Sequence, residues 1–290
     1  MYNVAIIKRT LAGCATIILA SILHSCGSNG NDALATFNRA KTLYENGEYE
    51  HSLAMLDTLR IKYPEEIELR KKGLHLLTLN QEGLIKNEIA SNDSLISSLE
   101  NEINKLSDYF KYIKHPDMVE GYYIHKSIAD EIEKTERIAI EPRIDEYDMF
   151  YIVSYLTGKD VKHSKIQLSD RAGNSVSTAN VPYDGAQNYR YSSGGTTYEI
   201  VTFTNAQCDT LGHFVTSNIG SPLKVTFQGK KNYSIQINNK HAKAIAETYR
   251  YATNKNKGKA AIKKRMLLES KLQLAKKQIE QTLHSVRSEE

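Results

Sequence analysis

Cys208 is followed by Asp209 and, five residues on, by His213, a spacing that on a helix comes close to one face. A thiol nucleophile needs a base within hydrogen-bond reach and a depressed thiol pKa. The sequence shows neither, and a cysteine near a helix start reads more simply as a small apolar packing residue. His163 and His213 both fall in the strand-rich region and could meet in space, but none of the nine histidines stands at metal-ligand spacing from another histidine or a cysteine. No metal and no cofactor is expected. The carboxylates Asp130, Glu131 and Glu133, and Glu141, Asp145, Glu146 and Asp148, are of the type a glycosidase uses in pairs. Lys134, Arg137 and Arg143 among them point instead to a solvated, charge-balanced face. No phosphate-binding glycine loop, nucleophile elbow or His-Glu-x-x-His helix occurs. No catalytic residue is assigned.

Binding chemistry has a better candidate. Tyr183, Tyr189, Tyr191 and Tyr198 cluster in a stretch rich in Ser, Gly and Asn, with Arg190 between two of them. Such segments present rigid aromatic anchors on an adaptable polar surface. Tyr183, Tyr189, Arg190 and Tyr191 are therefore the candidate binding residues, against the alternative of a tyrosine-rich hairpin packed on a sheet edge. Eighteen tyrosines against no tryptophan fit either reading, since tyrosine suits half-buried strands as well as contact surfaces.

These residues need a compartment and a scaffold. Lys8 and Arg9 precede an apolar run from Leu11 to Leu23, followed by Leu23-His24-Ser25-Cys26 and a small polar stretch. The run is short of the roughly 20 residues that span a bilayer, and has the three-part form of a secretory signal. Its end resembles the lipobox of bacterial lipoproteins, although His24 departs from the small or aliphatic residue usual at its position. The resemblance implies that residues 1–25 are removed and that Cys26 is acylated. It places the protein in the bacterial cell envelope, anchored to a membrane by lipid, and Gly27 beside the cysteine points to the outer membrane. The mature chain then keeps only Cys26 and Cys208, which excludes a disulfide framework. The formal charge of +4 loses Lys8 and Arg9, so the total implies no strongly acidic partner and no nucleic acid. The basic run Arg250, Lys255, Lys257, Lys259, Lys263, Lys264 and Arg265 holds no acid. It reads as a solvated helix face, a contact for anionic lipid head groups, or a partner for the acidic flank of another helix.

Residues 26–31 form a linker, and residues 32–64 read as a helical hairpin: Ala40, Leu43 and Tyr44, a break at Asn46-Gly47-Glu48, then Tyr49, Leu53, Leu56 and Leu59 before Tyr63-Pro64. This hairpin resembles a single tetratricopeptide repeat, with Ala40, Gly47, Tyr49 and Pro64 at its helix-contact, turn, second-helix and terminating positions. The resemblance implies a protein partner, and a lone unit must pack on the next segment of the chain. Residues 65–115 predict a long helix with a seam at Ile85, Ile89, Ile96, Leu99, Ile103, Leu106, Phe110 and Ile113, and a polar slot at Asn92. Residues 241–290 answer it with Leu268, Leu272, Ala275, Ile279, Leu283 and Val286. At about 1.5 Å per residue each arm would reach roughly 45 Å. The arms could pair within one chain as an antiparallel stalk or between chains.

Residues 116–240 between the arms are rich in strand signals. Runs at 138–140, 150–156, 165–168, 175–178, 197–203, 223–227 and 233–237 are separated by turn clusters, with one helix predicted at 207–217. The expected fold is α+β: an N-terminal helical hairpin and long antiparallel coiled-coil arms flanking an antiparallel β-sandwich-like domain. The expected function is that of a non-enzymatic interaction or structural module, whose partner is a protein or an envelope glycan. A glycan- or peptidoglycan-binding lipoprotein using the tyrosine-rich domain is the alternative, and an enzyme with a dispersed site is a third reading.

Overall fold

The computed structural model describes residues 29–117, 119–134, 136–204 and 206–287. Cys26, the preceding apolar run and most of the 26–31 linker lie outside them. The fold is mixed α+β, with six helices and two antiparallel sheets among the described residues. It divides into two compact units, one of residues up to Leu84 and from Leu274 onward, the other Ile85–Gln273.

In the first unit, α1 (Asn29–Glu45) and α2 (Tyr49–Lys62) form the expected hairpin. Gly47 sits at φ 79°, the left-handed region that glycine enters without penalty. Its N–H donates to the Tyr44 carbonyl (2.9 Å) and the Glu48 N–H to the Leu43 carbonyl (2.8 Å), the paired bonds that close a helix C-terminus on glycine. Ser52 lies at the helix crossing and donates to the Ala40 carbonyl at 2.7 Å, so a hydroxyl in a buried contact is satisfied. Tyr63 caps α2, and Pro64, lacking an N–H, stands just past the stop. The next helix, α3 (Ile67–Ser107), supplies Gly73 against Leu59 and Leu56, and Gly83 against the Tyr49 ring. The hairpin thus packs on α3 at Gly73 and Gly83.

In the second unit, α3 buries Asn92, Leu99 and Leu106 and half-buries Ile85, Ile89, Ile96 and Ile103. Six of the eight apolar positions expected for the seam are thus buried or half-buried on this helix, which stops at Ser107. Phe110–Ile113 is strand β1, paired with β2 (Tyr122–His125) from Phe110↔His125 to Ile113↔Tyr122. Phe110 and Ile113 are spaced as a heptad requires and also suit a strand; their partner strand, nine residues beyond β1, decides between the two. The long C-terminal helix α6 (Asn239–Arg287) half-buries Gly258, Arg265 and Leu272 and buries Ala261 and Leu268. Asn92 Nδ2 donates to the Ala261 carbonyl (2.9 Å), Arg265 bonds Asp93 (2.7 Å), Lys264 pairs with Glu88 (2.7 Å) and Arg250 with Glu102 (3.2 Å). Later residues of α3 meet earlier residues of α6, so the two run antiparallel here. Much of the basic run is thereby matched to acids: Lys255 and Lys259 both pair with Asp148.

A short helix α4 (Lys126–Ala129) comes after β2. β3 (Ile138–Asp145), β4 (Phe150–Thr157), β8 (Thr196–Phe203) and β7 (Asn188–Ser193) complete a six-stranded sheet in the order β1-β2-β3-β4-β8-β7. β5 (Lys165–Ser169), β6 (Ser175–Ser177), β9 (Leu223–Gln228) and β10 (Asn232–Ile237) form a second sheet in the order β10-β9-β5-β6. The predicted helix is α5 (Ala206–Ser217). Ile140, Ile152, Leu156, Val201 and Phe203 of the first sheet share one core with Ile166, Leu168, Val225 and Phe227 of the second, with Leu211 and Val215 of α5, and with Ile245 and Ala246 of α6. Because strand side chains alternate, the six-stranded sheet must turn its other residues to the opposite face. That face carries Glu141, Arg143, Tyr151, Tyr155, Ile200, Tyr189 and Tyr191.

Candidate functional site

β7 turns into β8 at Gly194-Gly195, both at positive φ (56° and 80°), as a tight hairpin whose turn twists with its strands demands. The register sets Tyr191 opposite Tyr198, and Tyr189 opposite Ile200. Tyr191 and Tyr198 stack with centroids 4.6 Å apart and planes 6° from parallel, and Tyr189 leans on Tyr191 at 5.5 Å. One strand further in, Thr157 faces Tyr198 and Tyr155 faces Ile200. Tyr189 and Tyr191 are 43% and 38% exposed, so these rings belong to a surface and not to the core.

Strand alternation divides the four predicted binding residues. Tyr189 and Tyr191 share the outer face. Arg190 points to the other, where its Nη2 donates to the Lys162 and His163 carbonyls (3.3 and 3.2 Å) and its guanidinium lies 5.2 Å from the Tyr183 ring. The structure therefore yields two pairs. A period of two, read over Asn188–Ser193, carries this split; the segment's turn residues hid the strand.

Beside the tyrosine platform lies a cavity of about 250 Å³ bordered by Lys134, Arg137, Tyr155, Thr157, Tyr191 and Tyr198. A second, of about 190 Å³, shares Lys134 and Arg137 and reaches Glu131, Glu141 and His241. The floor between them is a charged network. Arg137 Nη1 donates to Glu141 Oε2 at 2.9 Å, Arg143 Nε to Glu141 Oε1 at 2.5 Å, and Arg143 Nη2 to the Tyr155 hydroxyl at 2.9 Å. The two guanidiniums also lie 3.5 and 3.8 Å from the centres of the Tyr155 and Tyr122 rings, in the range of cation–π attraction. Burial would lower the Arg143 pKa, but the Glu141 carboxylate together with the Tyr155, Tyr122 and Tyr151 phenols more than offsets it, so the group is held fully charged. Burial pushes the Tyr151 phenol up to about 12 and raises Tyr155 as well. Glu141, Arg137 and Arg143 are thus neither a carboxylate pair for acid–base work nor an ordinary solvated face.

The other acids of these clusters serve local structure. Asp145 accepts the Tyr147 and Met149 N–H groups in the β3–β4 turn, Glu146 bonds Tyr112 and the Gly121 N–H, and Glu131 pairs with Lys240 and His241. Burial would raise Asp148, yet bonds from Lys255 and Lys259 lower it.

The thiol and histidine candidates separate. Cys208 is fully buried, its thiol donates to the Phe203 carbonyl at 2.8 Å, and burial pushes its pKa up to about 12. His213 is exposed on another face of α5, so the two cannot act together. Among the described residues no group of three or more His, Cys, Asp or Glu side chains could hold a metal ion.

One constellation carries no sequence motif. Ser154 Oγ lies 2.7 Å from His163 Nε2, and His163 Nδ1 lies 2.7 Å from Glu199 Oε2. The order matches a nucleophile, base and orienting acid. All three are sealed in the interior, with Ser154 and His163 at zero exposure, and Ser154 also bonds the Val201 carbonyl. A nucleophile must reach its substrate; this one reaches only the protein. Its role is local. Burial would raise the Glu199 pKa, but the His163 ring and the Lys162 and His163 N–H groups (2.7 Å each) hold it low. Those bonds fix a loop in which Asp160 and Lys162 adopt positive φ, a conformation costing roughly 1 kcal/mol or more for a non-glycine residue.

Comparison with family models, with curated proteins and with solved structures finds no match to this chain.

Proposed function

We propose that this protein is a non-enzymatic binding module of the bacterial cell envelope, in which the β-rich part of the second unit presents the ligand site. The observation that carries this reading is the Tyr189–Tyr191–Tyr198 platform, exposed at Tyr189 and Tyr191 and half-buried at Tyr198, beside a cavity with two cationic side chains, on the sheet face turned away from the core. Aromatic rings with a polar tip bind partners that are apolar on one side and hydrogen-bonding on the other, which describes a sugar ring. The cavity is below the roughly 300 Å³ at which drug-sized sites begin, so it suits one ring of a longer chain. The proposed ligand is an envelope glycan or peptidoglycan. A glycan array probed with the purified protein, followed by co-sedimentation with peptidoglycan sacculi, tests this; retention on neither would remove the reading.

The rest of the chain fits a tether in this proposal. Cys26 carries the lipid and the export signal ends before it. No helix among the described residues is long and apolar enough to cross a membrane. The antiparallel contacts of α3 and α6 in the second unit support heptad-packed coiled-coil arms, and the core shared by the two sheets supports a sandwich-like domain. The α1–α2 hairpin, read as a tetratricopeptide-like unit, supports a second contact with a protein partner. Lining its apolar groove with α3 are Leu56, Leu59, Ile67, Leu74 and Leu77.

A further inference from the structure

Resting on that reading, we infer that the cavity beside Tyr191 and Tyr198 takes a saccharide bearing a carboxylate, with Lys134 and Arg137 as its anion contacts. Two cations, Lys134 and Arg137, and two acids, Glu133 and Glu199, border this cavity. Arg137 and Arg143 share the single carboxylate of Glu141, and their side chains are only 15%, 10% and 7% exposed in the order Arg137, Arg143, Glu141. Charges removed from water need partners, and a buried group with unequal charges holds an excess that favours a counter-ion. Of the two acids at the cavity, Glu133 is exposed, and the Glu199 carboxylate is occupied by the His163 ring and the Lys162 and His163 N–H groups. Glu131, at the neighbouring cavity, is committed to Lys240 and His241.

The donors stand where a ligand would meet them. Arg137 Nη1 serves Glu141 and the Glu131 carbonyl, while Arg137 Nε and Nη2 have no partner among the described residues. That leaves one edge of the planar fork for a carboxylate, the geometry in which arginine binds anions most strongly. The Lys134 ammonium forms no ion pair among the described residues, is exposed, and borders both cavities. A ring stacked on Tyr191 or Tyr198 would set an acidic substituent toward these two cations.

A matched pair of ligands isolates the charge. N-acetylmuramic acid differs from N-acetylglucosamine by a lactyl ether that carries a carboxylate, so short oligosaccharides with and without it can be titrated calorimetrically against the full mature chain. The acidic sugar is expected to bind about tenfold more tightly at low salt, with the gap narrowing as salt rises. Lys134→Ala should shrink that gap to about twofold or less, while Tyr191→Ala should weaken both sugars alike. Arg137→Gln should act like Lys134→Ala; if it does not fold, the exposed Lys134 position carries the test. Equal affinity for the two sugars, or a gap untouched by Lys134→Ala, overturns the carboxylate inference and leaves saccharide binding standing. Lactate alone competing as well as the acidic sugar would reveal a bare anion site and also overturn it. Binding of neither sugar overturns both readings.

Discussion

Gly83 shows how one side chain can be dictated by a neighbour far away in sequence. A Cβ there would lie 2.5 Å from the Tyr49 ring. Gly83→Ala should therefore destabilise the first unit by about 1–3 kcal/mol, as overpacking does, and a denaturant titration would show it. At His125 the neighbour acts through charge. The ring is buried between Tyr109 and Phe110, and its Nε2 lies 2.8 Å from Glu247. Burial lowers its pKa, with Glu247 only partly opposing. A histidine depressed in the folded state binds its proton more weakly there than in the unfolded chain. Its contribution is fully present above about pH 6.5 and is lost as pH falls below that toward the folded value. Melting temperature should drop between pH 7.5 and 5.5, and His125→Asn should flatten the drop; an unchanged slope would show that other groups carry it. Residue types alone made Tyr189 and Tyr191 visible as a binding surface. They did not reveal Arg137 and Lys134, because a cation among acids reads as surface until a sheet register sets it beside Tyr155 and Thr157. Ser154, His163 and Glu199 were equally hidden, on a strand, a loop and a neighbouring strand.

At the scale of elements, long helices and central strands were legible because they repeat a period: the three-and-four spacing of Ile85 to Leu106, and the short apolar runs of β4, β8 and β9. Elements that depend on a partner were not. β1 passed for a continuing helix, β2 showed no signal of its own, and β7 was read as a binding loop or as part of a tyrosine-rich edge hairpin, of which the sheet order bears out the hairpin at the edge. The seam allows a direct check. Leu99 is buried and Glu100 beside it is exposed. Leu99→Asp should cost more than about 3 kcal/mol by leaving a charge in an apolar contact, while Glu100→Ala should stay within about 0.5 kcal/mol. Similar losses from both in a denaturant titration would mean the seam is not packed. Asn92 refines the picture: it is buried and its amide serves the Ala261 carbonyl, a bond that fixes how the two helices align. Cysteines placed at Asp93 and Arg265 should crosslink within one chain, and a product formed only between chains would contradict the proposed stalk.

For the molecule as a whole, the proposal joins an export signal, a lipid at Cys26 and a sheet face that meets glycan. Cys26→Ser should abolish partition into detergent and block processing; a membrane-bound protein that retains Met1 would oppose that part. The central claim is that the Tyr189–Tyr191–Tyr198 face is where ligand binds. Its most direct test is co-sedimentation of the mature chain with peptidoglycan sacculi, alongside the double variant Tyr189→Ala/Tyr191→Ala. Both tyrosines are exposed, so the variant should keep its stability within about 1 kcal/mol. At that unchanged stability it should lose about tenfold or more in affinity. Retention equal to that of the parent chain would contradict the claim.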